Sequence, residues 1–256
     1  MLSAKNISFH QVDGPHFKDI SLKLNKGSIS CIIGPNGSGK STLLRALSGI
    51  IPLQAGQISF DSININKLSR KDFAKYVAYL PQNIQNAPLT VKEVLIMGRT
   101  PYIKFIPSKK DYALVDEMLE QLNISTWKDR YLDELSGGER QKVFLAKVLV
   151  QQTPIILLDE PTNNLDIYYQ LEFYNIIKKL ALEQNKIILI AEHNLNLATQ
   201  FSQQLLIMHK YQLVKQGDVS EIFNKQMLKD IYKIDANVQN FDNIPYFLCT
   251  KDTKIL

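Results

Sequence analysis

The segment Gly34–Thr42, with the letters GPNGSGKST, constrains the fold of this chain more strongly than any other part of the sequence. It fits the pattern G-x-x-x-x-G-K-[ST] and lies between an apolar run, Ile29–Ile33, that predicts a strand and the letters LLRALSGI, which predict a helix. In such a loop, glycines let backbone N–H groups surround a phosphate, Lys40 adds positive charge, and Ser41 offers a hydroxyl to Mg²⁺. An ordinary glycine turn is the alternative, and the complete match in this context favours a nucleotide site. The predicted nucleotide-binding residues are Gly34, Pro35, Asn36, Gly37, Ser38, Gly39, Lys40, Ser41 and Thr42.

The composition is that of a globular protein with a large core. The chain has 256 residues, 45% of them hydrophobic, and no run approaches the roughly 20 apolar residues that a membrane helix needs. The N-terminus, MLSAKNISFHQ, lacks the apolar segment of a secretory signal, so we expect a soluble, cytosolic protein. The net charge of +5 suits anionic lipid, nucleic acid or a nucleotide and does not choose among them. Cys31 lies in an apolar run, which predicts a buried thiol, and no chemistry is assigned to it or to Cys249.

Apolar runs alternate with amphipathic stretches along the chain, which predicts an α/β fold. Three runs are continuously apolar, as expected for strands of a parallel sheet covered on both faces: Ile29–Ile33, Ile155–Leu158 and Ile187–Ala191. Between the first two, the segment Ile84–Val150 has helical periodicity, notably in DYALVDEMLEQL and ERQKVFLAKVLV, and predicts a helical insert. Short amphipathic pieces follow Gly217, around Glu221–Phe223 and Met227–Tyr232, and the polar tail after them carries no interpretable pattern.

A pair of acidic residues follows the second of these strands, in the letters IILLDEP. Ligands of open α/β sheets bind at the carboxyl ends of the strands, so we expect Asp159 and Glu160 beside the glycine loop. There Asp159 can hold Mg²⁺, and Glu160 can polarise the water that attacks the γ-phosphate. In isolation the two residues would be helix caps or solvated turn residues, but together with the glycine loop they indicate a P-loop NTPase.

Further motifs make the chain resemble the ABC ATPases from Leu2 to about Phe223. They are LSGGERQ at Leu135–Gln141, Gln82, PTNNLD at Pro161–Asp166, and His193. The resemblance implies a P-loop core with a mainly parallel sheet, an N-terminal antiparallel β region and a helical insert. It implies one ABC ATPase domain over residues 1–256, divided into a nucleotide-binding core at 1–82 and 151–223, a helical signature subdomain at 83–150 and a C-terminal extension at 224–256.

The resemblance also implies a dimer in which two copies of the chain enclose two ATP molecules. Ser136, Gly137 and Gly138 open a predicted helix that runs to about Val150, so their hydroxyl and N–H groups form a second phosphate site. In the family this site faces the nucleotide of the partner chain. A plain helix N-cap is the alternative. The implied signature residues are Leu135, Ser136, Gly137, Gly138 and Glu139.

Several single residues take their roles only from the resemblance. Gln82 would contact Mg²⁺ or water, His193 would hydrogen-bond the γ-phosphate, and Asp166 would lie in the loop that crosses the dimer interface. Taken alone, Gln82 is an exposed loop residue, His193 a polar turn residue and Asp166 the N-cap of a helix beginning near Ile167. The implied catalytic residues are Glu160, His193 and Gln82, and the implied Mg²⁺ ligands are Ser41, Gln82 and Asp159.

Two positions depart from the family pattern. Gln11 stands where many members carry an aromatic ring that stacks on adenine. Phe9, His10 or His16 could take the place of this ring, but we expect instead that Phe9 packs in the core and that His10 and His16 are exposed to solvent. Asn194 stands where an acidic residue commonly follows the histidine, which would alter the hydrogen-bond relay without abolishing activity.

The letters EVLIMGRTPY, TNNLD and EHNLNLA are similar to the importer cassettes that serve iron–siderophore, haem and cobalamin permeases. The resemblance implies an ATPase that powers uptake of such a metal chelate through a separate permease, at the cytoplasmic face of the inner membrane. A substrate-binding protein would be an indirect partner. It implies a coupling surface for the permease at Ile84–Arg99, with Arg99 on the surface. The apolar side chains that we expect to pack inside the insert instead are Val94, Leu95 and Ile96.

Other classes of protein remain open at this point. A soluble cassette acting on ribosomes or nucleic acid would use the same ATP chemistry, but such proteins usually carry two cassettes or a long coiled-coil insertion. Neither is found in these 256 residues, so we do not expect a nucleic-acid partner. An exporter cassette normally belongs to a chain with membrane helices. A scaffold with a decayed site would lack some of the residues that are all in place here: Lys40, Ser41, Gln82, Glu160 and His193.

Overall fold

The computed structural model describes residues 1–11, 14–82, 88–163, 165–248 and 254–255. Its strands are β1 (Leu2–His10), β2 (His16–Leu24), β3 (Ser28–Ile33), β4 (Ala55–Phe60), β5 (Ile63–Asn64), β6 (Val77–Leu80), β7 (Ile155–Asp159), β8 (Ile187–Ala191), β9 (Gln204–His209), β10 (Gln212–Asp218), β11 (Ile234–Asp235), β12 (Asn237–Phe241), β13 (Ile244–Leu248) and β14 (Lys254–Ile255). Its α-helices are α1 (Lys40–Leu47), α2 (Arg70–Phe73), α3 (Val91–Met97), α4 (Lys109–Gln121), α5 (Gly137–Val150), α6 (Ile167–Gln184), α7 (Leu195–Phe201), α8 (Val219–Ile222) and α9 (Lys225–Met227). Within these residues, no helix combines the length and the apolar character needed to cross a membrane.

The central sheet has the strand order β10-β9-β3-β8-β7-β6. Its strands from β9 to β6 are parallel, and β10 pairs with β9 antiparallel at the edge. Strand β7 shows why these strands are continuously apolar. Ile156 and Leu158 belong to a core cluster that contains side chains of α5, α6 and α7, whereas Ile155 and Leu157 belong to one that contains side chains of α1, β1 and β4. The prediction of parallel strands for the three apolar runs is therefore confirmed.

A second sheet, in the order β2-β1-β4-β5, is antiparallel throughout. Strand β2 buries Phe17, Ile20 and Leu22 and exposes other positions, as expected for a sheet with one face on the core. This sheet is the antiparallel β region that the resemblance implies. Cys31, in β3, is buried as predicted, and burial raises the pKa of its thiol, whereas Cys249 lies outside the described residues.

The helical insert is present as α3, α4 and α5, and no strand lies in the described residues 88–150. Each of these helices begins with a capping box, in which a hydroxyl residue and an acidic residue exchange hydrogen bonds with each other's backbone N–H group. The pairs are Thr90 with Glu93, Ser108 with Asp111, and Ser136 with Glu139. The start of the expected coupling surface, residues 83–87, lies outside the described residues.

The expectation that Arg99 lies on the surface is wrong. Arg99 is only 4% exposed, and its Nε is 3.0 Å from Oδ1 of Asp111, which is also buried. Its Nη1 donates a hydrogen bond of 2.8 Å to the carbonyl of Val150, at the C-terminus of α5. A buried guanidinium needs such partners, and here it links α3, α4 and α5. Val94 and Leu95 are buried, as expected, and Ile96 is partly buried.

The tail after Tyr232 contains regular secondary structure. Strands β12 and β13 form an antiparallel hairpin whose turn, Asp242 and Asn243, has positive φ at both residues. The hairpin packs on α7, where the side chain of Asn196 exchanges hydrogen bonds of 3.1 and 2.9 Å with the backbone of Phe247. A local signal was available, because an Asp-Asn pair between two segments with strand-forming residues is typical of a two-residue hairpin turn.

Candidate active site

The phosphate loop spans residues 34–39, between the end of β3 and the start of α1. Two of its glycines are required by close approach. Gly34 has a φ of +153°, and a side chain there would overlap the carbonyl oxygen of Met208. Gly39 has a φ of +102°, and a Cβ there would lie 2.5 Å from the Phe17 ring. The loop is thus packed against β9 and β2 through positions that only glycine fills without strain.

Lys40, the first residue of α1, is held inside this loop. Its Nζ donates hydrogen bonds of 2.8 Å to the carbonyl of Gly34 and 3.3 Å to that of Pro35, and the residue is 5% exposed. Burial lowers the pKa of the ammonium, while Glu160, Asp159 and Glu192 act in the opposite direction. The charge therefore stands close to the acidic residues predicted to share the site.

Asp159 closes the strand β7 beside the loop and is fully buried. The Ser41 hydroxyl donates to its Oδ1 at 2.8 Å, and the Tyr79 hydroxyl donates to its Oδ2 at 3.0 Å. Burial raises the pKa of Asp159, and these two donors lower it. The hydroxyl, carboxylate and amide oxygens of Ser41, Asp159 and Gln82 are the hard ligands that Mg²⁺ prefers, so the donor set fits this ion. Tyr79 was not predicted, although its place in β6, next to β7, is the signal that could have found it.

Glu160 joins the predicted catalytic residues in one cluster. Gln82 Nε2 donates to its Oε2 at 2.6 Å, Asn163 Nδ2 donates to the same oxygen at 3.3 Å, and His193 Nδ1 lies 3.7 Å from it. Glu160 has a φ of +47°, an unusual conformation for an acidic residue, and its N–H donates to the carbonyl of Ala191. The structure thus brings together Gln82, Glu160 and His193 from three separate segments, and such backbone outliers concentrate at functional sites.

The signature residues form the start of α5. The Ser136 hydroxyl accepts a hydrogen bond from the Glu139 N–H, and the Ser136 N–H donates to the Glu139 carboxylate at 2.8 Å. Leu135 is buried, Gly137 faces open space, and a Cβ on Gly138 would lie 3.1 Å from the Tyr169 ring of α6. The local structure is that of a capped helix with an open first turn.

The remaining predicted positions have clear local roles. Asp166 is exposed, and its Oδ1 accepts the Tyr169 N–H at 3.0 Å as the N-cap of α6; Asn164, in the same loop, lies outside the described residues. Asn194 caps α7 through its Oδ1, which accepts the N–H groups of residues 196 and 197 at 3.1 and 3.2 Å. A carboxylate could accept the same bonds, so the substitution of an acidic residue by Asn194 preserves the cap.

The region expected to meet adenine is partly described. Phe9 is fully buried and stacks on Phe17 with ring centroids 4.6 Å apart, so it packs in the core as expected. His10 and His16 stack at 5.2 Å; His16 is exposed and His10 is partly buried, which corrects the expectation of solvent exposure for His10. Gln11 is exposed, and residues 12 and 13 lie outside the described residues.

Known proteins are similar to this chain over most of its length. The family described as ABC transporter matches residues 17–163. The petrobactin import ATP-binding protein YclP of Bacillus subtilis is 34% identical over 244 residues, which cover 95% of this chain and 97% of that protein. The iron(3+)-hydroxamate import ATP-binding protein FhuC of Bacillus subtilis is 36% identical over 241 residues, covering 93% of this chain and 89% of that protein.

Solved structures show the same fold. A metal-chelate type ABC transporter in an inward-facing conformation has a TM-score of 0.82 at 27% identity, covering 96% of this chain and 95% of that one. A bacterial ABC transporter cassette in dimeric form has a TM-score of 0.75 at 25% identity, covering 85% and 98%. The chain belongs to the ABC transporter family, as an ATP-binding cassette subunit that hydrolyses ATP.

Proposed function

We propose that this chain powers the uptake of a metal chelate of the iron–siderophore, haem or cobalamin type through a separate membrane permease. The observation that carries the proposal is its similarity, along almost its whole length, to proteins named as petrobactin and iron-hydroxamate import subunits. In this role the chain lies at the cytoplasmic face of the membrane, held there by the permease. A substrate-binding protein and the permease select the cargo.

The proposed chemistry assigns a task to each part of the site. Residues 34–42 bind the ATP phosphates, with Lys40 opposing the charge of the terminal phosphates. Ser41, Asp159 and Gln82 would hold Mg²⁺, which would neutralise phosphate charge. Glu160 accepts a hydrogen bond from the attacking water and polarises it, and His193, 3.7 Å from Glu160, hydrogen-bonds the γ-phosphate. The bond from Gln82 at 2.6 Å supports this assignment, since it fixes the Glu160 carboxylate.

The site is proposed to be completed by a second copy of the chain. The open first turn of α5, at Ser136 and Gly137, presents N–H groups and the positive end of the helix, so residues 135–139 bind the γ-phosphate held by the partner. The loop that ends at Asp166 then lies in the dimer interface. In the proposed organisation, residues 1–82 and 151–223 form the nucleotide core, 83–150 the signature subdomain and 224–256 a C-terminal extension.

Because Arg99 is buried, the contact with the permease is proposed at other residues of the helical insert. Phe105 and Ile106, in the connection between α3 and α4, are 95% and 80% exposed. The Lys71 ammonium of α2 donates to the carbonyl of Ile103 at 2.8 Å, so this connection is fixed to the nucleotide core. Exposed apolar side chains on a braced loop favour contact with another protein. We therefore assign the permease contact to Phe105 and Ile106.

The chemistry is tested with Glu160→Gln, by an ATP hydrolysis assay with Mg²⁺ and by size-exclusion chromatography with light scattering in Mg²⁺-free buffer, with and without ATP. We expect the variant to bind ATP, to lose hydrolysis and to accumulate as an ATP-dependent dimer, because only the water-polarising group is changed. Ser136→Arg in the same background is the control, and it should bind ATP as a monomer. Hydrolysis at the parental rate in Glu160→Gln would refute the role of Glu160.

The transport role is tested in cells that lack the gene. We expect uptake of one radiolabelled cargo among an iron–siderophore, haem and cobalamin to be lost, to return with the parental chain, and to stay lost with Glu160→Gln. Phe105→Asp with Ile106→Asp should also fail to restore uptake while keeping ATP-dependent dimerisation. Normal uptake of all these cargoes, together with salt-sensitive binding of RNA or DNA, would contradict the importer proposal and favour a nucleic-acid partner.

A further inference from the structure

A buried carboxylate lies next to His193. Glu192, directly after β8, is 1% exposed. Its Oε1 accepts the N–H groups of His193 and Asn194 at 2.9 and 3.0 Å, and its Oε2 accepts the hydroxyl of Tyr174. An ionised carboxylate is an acceptor only, and both of its oxygens meet donors here. A buried acidic group with this arrangement holds its neighbours in fixed positions, because each lost partner leaves it unsatisfied.

Tyr174 donates the one of these hydrogen bonds to Glu192 that comes from another element. It lies on α6, is fully buried, and stacks on the Phe201 ring of α7 with centroids 4.4 Å apart and planes within 12°. Burial raises the pKa of the Tyr174 hydroxyl, and Glu192 adds to this, so the hydroxyl remains protonated and donates to the carboxylate. The packing of the ring thus determines where the Glu192 carboxylate lies.

The turn between β8 and α7 depends on these contacts. Glu192 holds the N–H groups on the β8 side of the turn, while the Asn194 side chain caps α7 on the other side. The His193 side chain is 46% exposed, and its Nδ1 lies 3.7 Å from Glu160 Oε2 and 3.9 Å from Glu192 Oε1. A half-exposed ring is not positioned by packing alone, so its direction follows from the backbone that carries it.

We propose that Glu192 and Tyr174 are positioning residues for His193: the Tyr174 hydroxyl holds the Glu192 carboxylate, and the carboxylate holds the turn that directs the imidazole toward Glu160 and the γ-phosphate. This inference rests on the proposed role of His193 in hydrolysis. In this arrangement, both residues act through the backbone of residues 193 and 194.

The test is Tyr174→Phe, which removes the hydroxyl and keeps the stacked ring. We expect the rate of ATP hydrolysis at saturation to fall about tenfold, while the dissociation constant for ATP changes less than about twofold, because the phosphate loop is unaltered. Glu192→Gln keeps the shape of the side chain and should give the same split. Tyr76→Phe is the matched control: Tyr76 packs against Phe60, outside the site, so its loss of a hydroxyl should leave both quantities unchanged.

His193→Ala, alone and combined with Tyr174→Phe, separates this inference from the proposed function. If Tyr174 acts through His193, the double variant should be as slow as His193→Ala alone. If His193→Ala hydrolyses ATP slowly while the separate variants Tyr174→Phe and Glu192→Gln hydrolyse it at the parental rate, the inference is overturned and the role of His193 stands. Parental hydrolysis in His193→Ala would remove the role of His193 and the inference with it. Additive losses, or a weakened affinity for ATP in both variants, would overturn the inference in favour of a general structural role.

Discussion

At the scale of single residues, the contact between Phe17 and Gly39 fixes the N-terminal sheet to the predicted phosphate loop. The Phe17 ring is buried, stacks on Phe9, and makes an edge contact with the Tyr211 ring at 5.6 Å, so it has no room to move. The Gly39 Cα lies against this ring in a left-handed conformation. The position of the predicted phosphate-binding loop therefore depends on the packing of a strand that carries none of the predicted catalytic residues.

This contact predicts different costs for two glycines of the same loop. Gly37→Ala meets open space and should lower the free energy of unfolding by roughly 1 kcal/mol, the cost of a side chain at its φ of +75°. Gly39→Ala places a Cβ 2.5 Å from the Phe17 ring and should cost about 2 kcal/mol more. Urea unfolding of both variants measures the difference. Equal losses of unfolding free energy in the two variants would mean that the Phe17 ring shifts to make room for the added methyl group.

The pair formed by Arg99 and Asp111 predicts a dependence of stability on pH. The Ser108 hydroxyl, and then Arg99, hold the pKa of Asp111 below its ordinary value. The stabilisation is therefore complete above the unfolded pKa, about 4, and is lost as the pH falls through the lower folded pKa. Asp111→Asn should lower the free energy of unfolding by about 3 kcal/mol at pH 7, and by progressively less below pH about 4.

The matched control for this pair is exposed. Asp116 pairs with Lys128 at 2.6 Å, with side chains 48% and 32% exposed, so Asp116→Asn should cost less than about 1 kcal/mol. Denaturant unfolding between pH 2 and pH 7 measures both variants. A loss for Asp111→Asn that is independent of pH would show that its capping and packing, rather than its charge, stabilise α4.

Single residues also show the limit of sequence reasoning at the site. The glycine loop, Asp159 and Glu160 were predictable because their spacing and their place after a strand carry the chemistry. Gln82 and His193 were identified through the resemblance alone. Tyr79, Tyr174 and the burial of Arg99 were not predicted, because each depends on a contact with another element of the fold. For Tyr79, the place of β6 next to β7 is the one available sign.

At the scale of elements, the turn between β9 and β10 holds its backbone in an unfavourable conformation. His209 pairs with Gln212, so Lys210 and Tyr211 form a two-residue turn with φ values of +47° and +66°. Such turns favour Asn or Gly at these positions, because the left-handed conformation costs free energy for other residues. The Tyr211 N–H donates to the carbonyl of Ser38 at 3.1 Å, which ties this turn to the phosphate loop.

Relief of this strain should be measurable. Lys210 is exposed, and Lys210→Asn should raise the free energy of unfolding by about 0.5 kcal/mol, because Asn tolerates the left-handed conformation better than Lys. Lys215→Asn, the same change at an exposed position within β10, should be neutral or slightly destabilising, because Asn is disfavoured in strands. Thermal unfolding compares them. Equal effects would show that the φ of residue 210 costs little.

Elements with strong periodicity were predictable, and those defined by distant contacts were not. The buried strands β3, β7 and β8 appear as continuous apolar runs, and α4 and α5 repeat their apolar residues with helical spacing. The hairpin of β12 and β13 carries apolar residues such as Val238, Ile244 and Phe247 but has few fully buried side chains, and it is held on the surface of α7. Without a contiguous buried face, such a hairpin is not evident from periodicity, and its Asp242–Asn243 turn is the sequence signal that marks it.

At the scale of the whole molecule, the C-terminal hairpin is attached to α7, the helix that follows the predicted catalytic residue His193. Asn196, two residues after the Asn194 cap, donates from its Nδ2 to the Phe247 carbonyl and accepts the Phe247 N–H at its Oδ1, as a neighbouring strand would. The partly buried Val238 and Phe247 pack on the core cluster that contains α7. The hairpin of β12 and β13 is thus attached to the helix that follows His193, the predicted phosphate contact.

Removal of this attachment should release the hairpin without unfolding the core. Asn196→Ala loses two hydrogen bonds, each worth about 1 kcal/mol, so local opening should become roughly tenfold or more favourable. Phe241, beside the turn, is 70% exposed, and chymotrypsin cleavage near it should accelerate by a similar factor. Asn240→Ala, at an exposed position of the hairpin, should be cut at the parental rate. Because the core strands make none of these bonds, the midpoint of global unfolding should move by only a few degrees. A large fall in that midpoint together with unchanged cleavage would instead make the hairpin part of the cooperative core.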